Sequence, residues 1–122
     1  MSIKVLFADD TEFIRRAIRN LLNGEPKIRI VGEAVTFAQT IQMIEDLRPE
    51  VVIMDLHMPD GEAVTPEQVK SRLTTASVLL AISIWNDAET KALAASFGAV
   101  QLLDKAKLGT ELIPAIVAST SV

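Results

Sequence analysis

The sequence predicts a doubly wound α/β sandwich on one five-stranded parallel sheet. Three observations predict it. Five short apolar runs recur roughly 25 residues apart, the spacing of successive strand-helix units. Stretches with helical periodicity fill the intervals. The runs are apolar on consecutive residues rather than on alternate ones, as in strands covered on both faces. The 122 residues fit one domain, residues 1–122, whose core can hide roughly two thirds of the unfolded surface.

The strands are read at Ile3 to Ala8, Ile28 to Val35, Val51 to Met54, Val78 to Ile82 and Val100 to Leu103. A first helix follows Thr11 and keeps Ile14, Ala17, Ile18, Leu21 and Leu22 on one face, with Gly24 and Pro26 as its stop. Phe37, Ile41, Ile44 and Leu47 mark a second, with Thr36 as N-cap and Pro49 beyond its end. Thr65-Pro66-Glu67-Gln68 has the form of a capping box with proline at N1, so a third helix is expected to run to about Leu73. Asn86 or Asp87 caps a fourth that reaches Phe97 and closes at Gly98. The fifth runs from about Leu108 or Gly109 to Ala118. With Thr110 as its cap, Pro114 falls late and an irregular start is expected. Right-handed crossovers leave few topologies for five such units, and the flavodoxin-like order 2-1-3-4-5 is the common one at this size.

Composition narrows the function. Without cysteine, neither a disulfide nor a thiolate metal site can form. A net charge of −4 argues against a sequence-independent nucleic-acid binder. No apolar run approaches the roughly 18 to 20 residues of a membrane span. The start, Met1-Ser2-Ile3-Lys4, lacks the layout of a signal peptide. A cytoplasmic, acidic domain with no direct nucleic-acid or membrane contact is expected.

The carboxylates fall where this fold builds sites. Ligands of open α/β sheets bind outside the carboxyl ends of the strands, at the switch point, which here lies between strands 1 and 3. Strand 1 runs into Asp9 and Asp10, and strand 3 into Asp55. Each alone has an ordinary reading, as a helix cap or a polar strand end. Together they repel one another unless a cation binds, and Mg²⁺ suits one to three carboxylates plus water. Ser83 ends strand 4 and Lys105 lies just past strand 5, at the same edge. A metal, an ammonium and a hydroxyl suit the oxygens of a phosphoryl group. With no cysteine, and the lone histidine in a loop, the nucleophile is a carboxylate, and Asp55 is the central one.

At this point the chain resembles the receiver domain of bacterial two-component response regulators, the CheY-like superfamily. The resemblance rests on Leu6-Phe7-Ala8-Asp9-Asp10, on the run from Pro49 through Asp55 to Pro59, on Ser83 closing strand 4, and on Gly98-Ala99 followed by Lys105. It covers essentially the whole chain. It implies a phosphoacceptor domain rather than an enzyme with a separate substrate, one that catalyses only its own aspartyl phosphorylation and dephosphorylation. Asp55 would be the phosphorylated residue. Asp9, Asp10, Asp55 and the His57 backbone carbonyl would hold Mg²⁺, and Ser83 and Lys105 would contact the phosphoryl group. The implied partners are a sensor histidine kinase or phosphotransfer protein and a downstream output protein, with a homodimer as an open option. No DNA-binding segment follows the fifth helix, so a lone receiver, or one taken from a longer regulator, is expected.

Several positions depart from that pattern. Where the family commonly carries a Tyr or Phe that moves with the hydroxyl, this chain has Leu102, so the switch formed by Ser83 and Leu102 is expected to be altered. The loop after Asp55 closes early at Pro59-Asp60-Gly61. His57 and Trp85 occupy places that tune hydrolysis in the family, Ile84 a place that is often small, and Phe13 the helix start where phosphodonors dock. Two other readings compete: a degenerate receiver that works by binding alone, and an Mg²⁺-dependent phosphatase. The second typically needs its nucleophile on strand 1 and larger loops for a substrate.

Overall fold

The computed structural model describes residues 2–120. Ten helices and strands alternate: β1 (Ile3–Ala8), α1 (Glu12–Asn23), β2 (Ile28–Ala34), α2 (Phe37–Leu47), β3 (Val51–Asp55), α3 (Pro66–Lys70), β4 (Val78–Ser83), α4 (Ala88–Ser96), β5 (Gln101–Asp104) and α5 (Leu108–Thr120). The strands form one parallel sheet in the order β2-β1-β3-β4-β5. This is the doubly wound fold that the apolar runs predict.

Alternate residues of the central strands go to opposite cores. Val5, Phe7, Val51, Ile53, Leu80 and Ile82 meet Ile18 and Leu22 of α1 and Leu112 and Ile116 of α5. Leu6, Ala8, Val52, Met54, Leu79 and Ala81 meet Phe37, Ile44, Val69 and Phe97 from α2, α3 and the end of α4. All five residues of β3 are buried. Each fully buried Leu, Ile or Phe contributes about 1.5–3 kcal/mol relative to exposure. Phe37 stacks on Phe97 with centroids 5.4 Å apart, tying α2 to α4.

Local chemistry sets most helix ends as expected. Thr36 and Asp87 accept from the Gln39 and Thr90 N–H groups, and Thr65 and Gln68 complete the capping box of α3. Gly98 closes α4 at φ 85, a left-handed conformation that glycine adopts without steric cost.

Several boundaries and caps differ from the sequence reading: β2 ends at Ala34, β3, β4 and β5 run on to Asp55, Ser83 and Asp104, and α5 reaches Thr120. α3 stops at Lys70 rather than near Leu73, because the chain turns at Ser71 and Arg72. β5 begins at Gln101 rather than Val100, whose side chain is exposed before the strand starts. Thr11 makes no side-chain cap for α1. Thr110 does not cap α5: a 3-10 turn over Lys105–Lys107 leads straight into that helix at Leu108. Pro114 sits inside α5 on an exposed position. No helix among the described residues is long and apolar enough to cross a membrane.

Candidate phosphoryl and metal site

The site lies at the carboxyl edge of the sheet, where β1 and β3 are neighbours. Asp9 leaves β1 fully buried. Its N–H donates to the Ala34 carbonyl at 3.1 Å, which carries the β1–β2 pairing one residue further. Its carbonyl accepts from Arg15 Nη1 at 2.8 Å, and its Oδ1 accepts from the Thr11 N–H at 2.8 Å. Thr11 therefore spends its backbone N–H on Asp9. Asp9 Oδ2 is buried without an aligned hydrogen bond, and its partner is the Lys105 ammonium, in ion-pair contact at 2.7 Å. Asp10, next in the turn, is exposed.

Asp55 ends β3 and is 3% exposed. Its Oδ1 accepts from the His57 N–H at 3.2 Å, and its Oδ2 lies 3.2 Å from Lys105 Nζ. Lys105 reaches both aspartates because the chain turns at the end of β5, where Asp104 Oδ1 accepts the Ala106 N–H at 2.8 Å and starts the 3-10 turn. Carboxylate oxygens of Asp9, Asp10 and Asp55 lie within 4.8 Å of one another.

The electrostatics follow from this crowding. Burial and then the neighbouring Asp9 charge push the Asp55 carboxyl above its ordinary range, against the opposing pull of Lys105 and the His57 N–H. Burial works to lower the Lys105 ammonium, but its contacts with Asp9 and Asp55 outweigh that, so its pKa is raised. One ammonium thus pairs with two of three crowded carboxylates. An all-oxygen donor set with surplus negative charge fits a hard divalent cation such as Mg²⁺.

A cavity of about 350 Å³ opens over this edge. Asp55, Ser83 and Lys105 line it from the buried side, and Thr11, Phe13, Ile14, His57, Ile84 and Trp85 complete it. Ser83 is buried, and its Oγ accepts the Trp85 N–H at 3.0 Å. Phe13, Ile84 and Trp85 are 77%, 64% and 54% exposed, so the rim is apolar around a charged floor. The Trp85 ring meets His57 edge-on with centroids 5.3 Å apart, joining the loops after β3 and β4 across the opening.

The residues the sequence singles out are therefore brought together, with one exception. Leu102 is away from the cavity. It pairs with Ala81 in the sheet, is half-buried, and packs on the core beneath α4. The alanines Ala94, Ala95 and Ala99 leave a groove of about 340 Å³ beside it. A larger concavity, about 600 Å³, lies at the other end of the sheet, but its charged lining includes the paired Arg72 and Glu45 and no clustered carboxylates.

Two residues escaped the sequence reading. Arg15 holds the Asp9 carbonyl from α1. Asp60 holds the early-closing loop: its two carboxylate oxygens accept the Phe37 and Ala38 N–H groups, each at 2.9 Å, at the start of α2. The only signals were an arginine one turn into the first helix, next to the apolar stripe, and an aspartate before Gly61.

Comparison with known proteins decides the family. Residues 5–117 match the family described as the response regulator receiver domain. The chain belongs to that family. Among its relatives are the Staphylococcus aureus response regulator protein VraR, 37% identical over 90 residues, covering 73% of this chain and 43% of VraR. A protein-glutamate methylesterase/protein-glutamine glutaminase of Methanosarcina acetivorans is 35% identical over 108 residues, covering 86% of this chain and 30% of the relative. This receiver thus spans less than half the length of either. Among solved structures, the response regulator domain of Thermotoga maritima CheB shares the fold at a TM-score of 0.85 and 22% identity, covering 100% of this chain and 98% of that one. The signal receiver domain of Mycobacterium tuberculosis NarL gives 0.84 at 26% identity, covering 98% and 96%.

Proposed function

We propose that this chain is a phosphoacceptor of a two-component phosphorelay, phosphorylated on Asp55 in an Mg²⁺-dependent reaction. One observation carries the reading: the buried Asp55 carboxylate shares a cavity with Ser83 and Lys105 and lies within reach of the Asp9 and Asp10 carboxylates. Asp9, Asp10, Asp55 and the His57 carbonyl would hold the cation, which when bound supplies charge neutralisation to a phosphoryl group among carboxylates.

In the transfer, an Asp55 oxygen attacks phosphorus, the new O–P bond forms, and the P–N bond to the donor histidine breaks, leaving the imidazole. Lys105 is already within 3.2 Å of Asp55 and stays charged, so it pairs with the incoming oxygens without reorganisation. Ser83 has its hydroxyl proton free to donate while its oxygen receives the Trp85 N–H. Water later cleaves the acyl phosphate and restores the carboxylate. The chain is then no enzyme in the ordinary sense; it acts on itself.

The donor is a sensor histidine kinase or phosphotransfer protein in the cytoplasm, and the exposed Phe13 at the start of α1 is an anchor for it beside the cavity. The added charge of about −1.5 to −2 draws Ser83 toward it and shifts the loop that carries Trp85. The whole domain, 1–122, then presents a changed face to an output protein or to a second copy, without itself touching nucleic acid or membrane. A second reading, binding without phosphorylation, is favoured only by Leu102 and its unfilled groove.

The test is incubation with Mg²⁺ and a small acyl-phosphate donor, read by intact mass. A gain of about 80 Da, lost with a chelator and in Asp55→Asn, is expected. No gain in the wild type, with Mg²⁺ binding also absent, would favour the binding-only reading.

A further inference from the structure

The geometry points to Arg15 as the positioning residue of the acidic turn: its guanidinium holds the Asp9 carbonyl and so sets where the Asp10 carboxylate stands for a divalent cation. This rests on the phosphoacceptor reading above and adds a part to it.

A peptide is a rigid plane, so the Asp9 carbonyl and the Asp10 N–H turn together. Whatever holds that carbonyl sets the direction in which the chain reaches Asp10. Repulsion from Asp9 and Asp55 drives Asp10 outward, and Asp10 is exposed with nothing burying it. The Ala34 carbonyl acts only on the Asp9 amide, and the Thr11 N–H closes a ring through the Asp9–Asp10 peptide by way of the Asp9 side chain, so neither holds the Asp9 carbonyl itself. Arg15 Nη1, at 2.8 Å, acts on that peptide.

Arg15 is itself well held. Its side chain is only 14% exposed; Nη2 meets the Glu12 carboxylate at 2.5 Å, and Nε lies 3.8 Å from Glu33. Glu33 is in turn gripped by Arg19 through two bonds of 2.7 Å. A guanidinium presents donors from three separate nitrogens along fixed in-plane directions, whereas a lysine's donors all leave one nitrogen at the end of a flexible stem. The arrangement ties the metal turn to α1 and β2 through a single side chain.

The test measures Mg²⁺ affinity of the full chain, by titration calorimetry and by the fluorescence of Trp85, which lines the same cavity. Arg15→Gln and Arg15→Lys are compared with Arg19→Gln, which cuts the same ion-pair network without touching Asp9. We expect Mg²⁺ affinity to fall about 10-fold in both Arg15 variants, the usual loss when a residue orienting a ligand is removed, with Arg19→Gln near wild type. At saturating Mg²⁺, the acyl-phosphate reaction should return to within about twofold of wild type, since Arg15 touches no reacting atom. Arg15→Lys keeps the charge and guards against a variant that fails to fold. Unchanged Mg²⁺ affinity in folded Arg15→Lys would overturn the inference, as would an equal loss in Arg19→Gln. A wild type that binds no Mg²⁺ would instead bring down the phosphoacceptor reading and this inference with it.

Discussion

The two halves of the sheet's carboxyl edge are built differently. On the β1/β3 half, polar groups are held: Asp9 by Ala34, Thr11, Arg15 and Lys105, and Asp55 by His57 and Lys105. On the β4/β5 half, the Ser83 Oγ accepts only the Trp85 N–H, Ile84 and Trp85 stand exposed, and Leu102 lies beside an unfilled groove. The contrast separates chemistry from readout. On the proposed phosphoacceptor reading, the acidic half would be preorganised for a phosphoryl group, and the loop after β4, held by the His57–Trp85 ring contact and the Asp87 cap, would be the part that moves. Preorganised charge lowers barriers, and loosely held loops change state at small cost.

The comparison can be broken most severely at Lys105. Lys105→Ala should slow phosphorylation of Asp55 by roughly 100-fold, the scale of losing one preorganised charge partner, measured as the rate of mass gain. The same variant should change the alkaline limb of stability. Because the Lys105 pKa is raised in the fold, its contribution is complete below the unfolded value of 10.5 and is lost as pH rises through the folded one. Thermal melts across that window should show the loss in the wild type and not in Lys105→Ala. The Asp55 pKa is also raised, so its linkage has the same sign in an acidic window. With its pKa raised, its ionised form costs stability as pH rises from 3.8 through the folded value, so Asp55→Asn should melt higher than wild type at neutral pH without Mg²⁺.

Asp60 tests whether the acidic half depends on its outer loop. Asp60→Ala leaves the first N–H groups of α2 without their carboxylate and should cost about 1–2 kcal/mol in a denaturant titration. On the looser half, Trp85→Ala removes the ring that meets His57 across the opening. The lifetime of the phosphorylated protein should shorten several-fold, followed by loss of the added mass; an unchanged or longer lifetime would refute shielding. The smallest effect is at Leu102. Leu102→Phe extends into the groove beside α4 and should change the phosphorylation rate by less than about twofold, because no atom of Leu102 lines the cavity.

The sheet was legible because two-sided burial writes itself as unbroken apolar runs, and the wholly buried Val51–Asp55 is the clearest of them. That Asp9, Asp10, Asp55, Ser83 and Lys105 share one edge was legible because each sits at or just past a strand end, whose place the topology dictates. Val100 misled the reading of β5: its β-branched side chain suits a strand, yet it is exposed at the edge and its N–H bonds Leu79 before the ladder begins. Leu73 misled α3, since an apolar residue at helical spacing can equally tuck in from a turn. Arg15 and Asp60 were illegible for a common reason. Both bond backbone groups, and a backbone acceptor or donor leaves no residue type at the far end to recognise. The place of Leu102 away from the cavity, and the groove beside it, were not legible because they depend on the packing of α4.

The most direct measurement identifies the phosphorylated residue itself. Protein treated with Mg²⁺ and an acyl-phosphate donor is reduced with borohydride, which converts an aspartyl phosphate to homoserine, and the peptides are sequenced by tandem mass spectrometry. Homoserine at position 55, absent when Mg²⁺ is chelated, is the expected result. Homoserine at Asp9 or Asp10 instead, or none at any aspartate while Mg²⁺ is bound, would contradict the assignment of Asp55 as the phosphoacceptor.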